Sequence, residues 1–99
     1  MTVSYHEARD IVMRAVASGW DRGTFCLDDR FIVENDTFYA FAIGAREYLV
    51  DGDGSYAIVG AVPVVRKEDG TLEWLPSPMV ALDPTLRSRP NPDSTLPLR

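Results

Sequence analysis

His6 and Cys26, the only histidine and the only cysteine, are the residues here best suited to nucleophilic or acid–base chemistry. A thiol nucleophile needs an imidazole within hydrogen-bond reach. Nothing in the spacing of these two brings them together. His6 falls in the first turn of a helical pattern and reads as an exposed or partly packed side chain, and Cys26 reads as a small buried apolar group. A tetrahedral metal site would have to complete its ligand set with carboxylates, so neither a metal nor another cofactor is expected. Asp51-Gly52-Asp53-Gly54 alternates oxygen ligands with glycine in the manner of a calcium loop. The residues that follow, Ser55 to Val62, are apolar where such a loop needs further oxygens and a glutamate, and the stretch reads as an acidic turn. Glu34, Asp36, Glu68, Asp69 and Glu73 gather at predicted hairpin turns. Paired carboxylates hydrolyse glycosides only when they flank a cleft. At turn tips their plausible use is to steer a basic partner.

The elements that must position these groups follow from patterning. Ser4 and Glu7 form a capping box, and behind it Tyr5, Ala8, Ile11, Val12, Ala15 and Val16 recur at helical spacing. This predicts a helix over 4–18, stopped by Gly19. Residues 19–29 read as a connection punctuated by Gly19, Asp21, Gly23, Asp28 and Asp29, with Trp20 and Phe25 folding back onto the sheet edge. Arg30 to Glu34 and Thr37 to Ile43 are β-branched and aromatic runs around Asn35-Asp36, a hairpin signal. The second run is apolar on both faces in part and is expected to be central, with the helix over one side. Residues 44–54 read as a loop with an exposed tip, and Ser55 to Val59 as an apolar run. Val62 to Lys67, a turn at Glu68-Asp69-Gly70, and Thr71 to Leu75 form a second hairpin, with Pro63 near a strand start, where its missing amide does least harm. Six of the seven prolines lie beyond Leu75. Met79 to Leu82 is expected to make one short packed turn.

These elements predict an α+β fold, an N-terminal helix packed on a small antiparallel sheet of about four to five strands. One domain is expected over 1–83, with a proline-rich tail over 84–99 that is extended or disordered. The 99 residues leave no room for a separate cofactor domain, and a net charge of −5 with dispersed basic residues argues against nucleic acid and favours a basic protein partner. No apolar run approaches the length of a membrane span. The N-terminus lacks the cationic start and apolar core of a signal peptide, so the expected location is the cytoplasm. Trp20 and Trp74 are the largest side chains; core packing is favoured for Trp20, and for Trp74 core and binding roles stay balanced.

Three stretches together resemble a known family. They are Tyr5-His6-Glu7-Ala8; Ala45-Arg46-Glu47-Tyr48-Leu49 followed by Gly52-Asp53; and Val59-Gly60-Ala61-Val62-Pro63-Val64-Val65 running into Lys67-Glu68-Asp69-Gly70-Thr71-Leu72. In order and spacing, from about Ser4 to Pro76, they resemble the small YrhB-like proteins grouped with immunity protein 35 of bacterial polymorphic-toxin systems. The chain departs from that pattern at Ala61, where the family often has Asn, and in its proline-rich end, where relatives tend to continue into a helix. The resemblance implies a small α+β protein, without enzymatic activity, that binds and neutralises a cognate toxin. The alternative is a chaperone-like or adaptor protein that takes its partner at a sheet edge. Asp51, Asp53, Glu68, Asp69, Glu73 and Trp74 are the expected partner-binding residues, in a monomer or homodimer.

Overall fold

The computed structural model describes residues 2–57 and 60–96. Helix α1 (Tyr5–Val16) begins where the capping box places it. The Ser4 hydroxyl accepts from the Glu7 amide at 3.2 Å, and the Glu7 carboxylate accepts from the Ser4 amide at 3.0 Å. A short 3-10 turn over Ala17–Gly19 ends the helix. The strands are β1 (Phe25–Glu34), β2 (Phe38–Ala45), β3 (Ala61–Arg66), β4 (Leu72–Pro76) and β5 (Arg87–Pro90). They form one antiparallel sheet in the order β4-β3-β2-β1-β5. Two short helices, α2 (Arg46–Leu49) and α3 (Ser77–Ala81), follow β2 and β4.

The helix lies on one face, here the inner face. Ala8 and Val12 are fully buried, and Tyr5 stacks on Phe41 at 5.5 Å between ring centroids. Leu27, Ile32, Tyr39 and Val65 complete this core from four sheet positions. Tyr39, Phe41 and Val65 reach the helix side by the two-residue period, whereas Leu27 and Ile32, five residues apart on β1, share it because the register shifts between Asp28 and Val33. Burial pushes the Tyr5 phenol up to about 12, and the nearby Asp29 carboxylate adds to the effect. Of the expected helical stripe, Ala15 alone is exposed.

Two expected connections are corrected by the structure. Residues 19–29 are not a connection throughout, because β1 already starts at Phe25. Asp28 and Asp29 are tolerated in a strand because each carboxylate is satisfied there: Arg30 grips Asp28 with two hydrogen bonds, of 2.9 and 2.7 Å, and Asp29 sits in a bulge. Four residues of β1, Asp29 to Ile32, stand opposite Phe41 alone between the pairs Asp28↔Ala42 and Val33↔Ala40. Residues 44–54 likewise are not all loop, since β2 runs to Ala45 and α2 follows. Two residues of the apolar run Ser55 to Val59, at 58 and 59, lie outside the described residues.

The expected tail over 84–99 carries the fifth strand. Its Arg87–Pro90 segment pairs with Phe31 to Glu34, and the turn beyond it is clasped to the β1 bulge. Asn91 donates to the Asp29 carbonyl at 2.7 Å, and its own amide donates to the Arg30 carbonyl at 3.0 Å. The Asp29 carboxylate, 1% exposed, accepts from the Thr95 amide at 3.0 Å, the Thr95 hydroxyl at 2.7 Å and the Ser94 hydroxyl at 3.2 Å. Arg9 of α1 faces the same carboxylate at 3.4 Å. Leu96 is buried.

Two consequences of this architecture are measurable. At the β3–β4 turn Gly70 has φ +78°, and a Cβ there would stand 3.2 Å from the Ile11 side chain. Gly70→Ala is expected to cost more than about 1 kcal/mol by urea denaturation, because it adds left-handed strain to crowding against the helix. Beside it, Glu34 accepts from the Lys67 ammonium at 2.6 Å and from Arg89 at 3.0 Å. The Lys67 contact, helped by Arg89, holds the Glu34 carboxyl below its ordinary value of 4.5. A depressed folded value means this stabilisation is present above the ordinary value and fades as pH falls through the folded one. Glu34→Gln should therefore lose less stability than the parent between about pH 7 and about pH 3, as read from urea midpoints.

Candidate functional site

The six expected partner-binding residues do not share one face. Glu68 and Asp69 sit at the β3–β4 turn, where Asp69 accepts from the Thr71 amide at 2.9 Å. Glu73 and Trp74 are neighbours on β4 and so point to opposite faces. Glu73 lies on the outer face, paired to Arg66 at 3.2 Å, while Trp74, 48% exposed, lies on the helix side. Asp51 and Asp53 follow α2, at the end of the sheet opposite the 68–70 turn. Asp53 caps a short turn by accepting from the Ser55 amide at 3.0 Å and hydroxyl at 2.7 Å, contacts that lower its carboxyl's affinity for protons.

The groups with catalytic potential are also dispersed. His6 faces Asp93 at 3.5 Å with both side chains 67% exposed. Cys26 pairs with Gly44 on the outer face, across the sheet from the helix that carries His6. Burial pushes its thiol up and keeps it protonated. Among the described residues no cluster of three or more His, Cys, Asp or Glu is arranged to hold a metal ion, and no helix is long and apolar enough to cross a membrane.

What the fold does assemble is a groove where β2 and β3 part. The Lys67 amide donates to the Thr37 carbonyl at 2.9 Å, which sets the phase of the ladder between these strands. Hydrogen-bonded positions then recur every second residue: Tyr39 with Val65, and next Phe41 with Pro63. Proline has no amide to donate. Pairing accordingly ends at Ala40↔Val64, although β3 stays paired to β4 as far as Ala61↔Pro76. Beyond that point the strands fork around a cavity of about 270 Å³. Val16, Trp20, Phe41, Ile43, Pro63 and Trp74 line it, and the Ser77 hydroxyl, donating to the Gly60 carbonyl, borders it.

Trp20 is held in the wall from several sides. Its ring meets Phe25 edge-on at 5.3 Å, and its indole N–H donates to the Arg22 carbonyl at 2.8 Å. The loop turns at Gly23, φ +73°, where a Cβ would fall 2.8 Å from the Glu47 carboxylate. Glu47 in turn accepts from the Thr24 amide at 3.0 Å and hydroxyl at 3.1 Å, which ties the Trp20 loop to α2. Asp21 lies on the Trp20 loop, Glu47 on α2, and Asp51 and Asp53 on the segment that follows, with Arg22 and Arg46 beside them in the chain. None of the four acids forms an ion pair among the described residues.

Trp20, expected in the core, is thus a groove wall facing Trp74. The usable sign was Pro63 inside a β-branched run: a proline within a strand marks where one neighbour's ladder must stop. The outer face carries a second apolar surface. Phe31, Met79 and Leu82 are 50%, 60% and 80% exposed, beside a shallow floor of Val33, Ala40, Ala42, Val62 and Val80. Comparison with protein-family models, with curated proteins and with solved structures finds no match to this chain.

Proposed function

We propose that this chain is a non-enzymatic binding protein of the immunity type, which holds a basic protein partner against the forked end of its sheet. The observation that carries the reading is that Trp20 and Trp74 line one apolar groove, while Asp21, Glu47, Asp51 and Asp53, on the Trp20 loop, on α2 and just after it, form no ion pair among the described residues. Tryptophans in such recesses dominate binding energies, while excess negative charge speeds capture of a cationic partner. The resemblance to the YrhB-like and immunity protein 35 group supplies the biological role: the partner is a cognate bacterial toxin, met in the cytoplasm, whose working surface is covered. Asp51, Asp53 and Trp74 belong to this contact region, whereas Glu68, Asp69 and Glu73 face elsewhere.

The chaperone-like alternative works through a sheet edge, and both edges here oppose strand addition. Edge strand β5 is short, carries Arg87 and Arg89 and ends in Pro90, and β4 ends in Pro76 before α3. Charge, proline and brevity are the usual means of blunting an edge.

The reading expects a toxin-domain protein encoded beside this chain, and the test is calorimetry together with binding kinetics against that protein. Trp74→Ala should cost about 2 kcal/mol of binding through faster dissociation. Asp51→Lys with Asp53→Lys should chiefly slow association and reduce its salt dependence. Full affinity in both variants would place the interface elsewhere.

A further inference from the structure

We infer that the partner enters the fork as an extended cationic segment, pairing its main chain with β2 and seating one apolar side chain between Trp20 and Trp74. This rests on the proposed function and specifies how the same site is occupied. Two features select an extended segment. Strand β2 is central, yet beyond Ala40 nothing on β3 completes its ladder, because Pro63 has no amide where the Phe41 carbonyl needs a donor. By the same alternation the Ile43 amide and carbonyl face the fork. Main-chain groups facing an apolar recess are best satisfied by another main chain, which is how extended peptides are recognised at open sheet positions.

The third feature is charge. The segment's flanks would run past Asp21, Glu47, Asp51 and Asp53, which lack ion-pair partners among the described residues. Lysine or arginine on either side of the apolar residue complements them. A cationic side chain can also lie against the exposed face of Trp74.

The probe is a capped peptide with lysines on both sides of one leucine, titrated into the intact protein and followed by tryptophan fluorescence. Both tryptophans of the chain line the groove, so the signal reports on this site. Saturable binding is expected, lost when glutamate replaces lysine or alanine replaces leucine. Two further peptides carry N-methyl groups on alternate residues. One of them should bind at least about tenfold more weakly, because its methyl groups occupy the edge that pairs with β2, and the other should match the parent. If both bind like the parent, main-chain pairing is wrong and the broader reading survives. If the whole partner binds and no peptide does, the extended-segment inference falls. If the whole partner does not bind, the proposed function itself falls.

Discussion

Phe41→Ala is expected to remove about 3–5 kcal/mol of folding stability, the usual cost of emptying a buried aromatic site. Phe41 is 3% exposed on the central strand, stacked on Tyr5, and stands alone opposite the four-residue bulge of β1. Neither neighbour can move in to fill its volume: Tyr5 is held in α1 by the capping box, and Pro63 cannot extend the β3 ladder towards it. A domain of this size has roughly 5–15 kcal/mol in total, so one substitution removes a large share. Urea denaturation measures it. Because Phe41 also lines the fork, folded Phe41→Ala protein should bind its partner more weakly than the parent does. A loss below about 1 kcal/mol would mean the site collapses freely.

Asp29→Ala is the second large effect, about 3 kcal/mol, the scale for removing one member of a buried ion pair. It deletes the acceptor of Ser94 and Thr95 and leaves Arg9 facing no anion, with a buried Nε that makes no hydrogen bond even in the parent. The loss is directional. Segment β5 pairs over only four residues, all exposed, and depends on the clasp behind it. Limited proteolysis of Asp29→Ala protein should therefore cut between Asp83 and Leu96 well before the rest of the sheet. Asp29→Asn, which keeps acceptor capacity, should cost less. Equal protease resistance in Asp29→Ala and parent protein would mean that the clasp does not hold the chain end.

The sequence made the helix and both hairpins legible because each rests on local chemistry. The Ser4–Glu7 box, the Asn35-Asp36 turn and Gly70 act within three or four residues of themselves. The central position of β2 was legible from apolar residues on both faces. Asp28 and Asp29 were not legible as strand residues, because their compensation comes from Arg30 next door and from Asn91, Ser94 and Thr95 at the far end of the chain. The fifth strand was hidden for the same reason: its composition is that of a tail, and its order comes from a contact more than sixty residues distant.

The candidate site was half legible. Residue type and expected exposure point to Trp74, Asp51 and Asp53, and these belong to the forked end of the sheet. The same grounds point to Glu68, Asp69 and Glu73, which strand alternation and the length of β3 and β4 place elsewhere. Trp20 reads as a core residue because nothing local shows that the strands behind it fork. That information sits in Pro63, forty-three residues later, and becomes visible only once the β2–β3 register is known.

The central claim is that the forked end is where a basic partner binds, and acrylamide quenching of tryptophan fluorescence tests it most directly. Trp20 and Trp74 are the only tryptophans in the chain, and both line the fork. With a tryptophan-free variant of the basic partner bound, both should become strongly protected from quencher, and added salt that dissociates the complex should restore quenching. A complex that forms while both indoles stay as accessible as in the free protein would contradict the account.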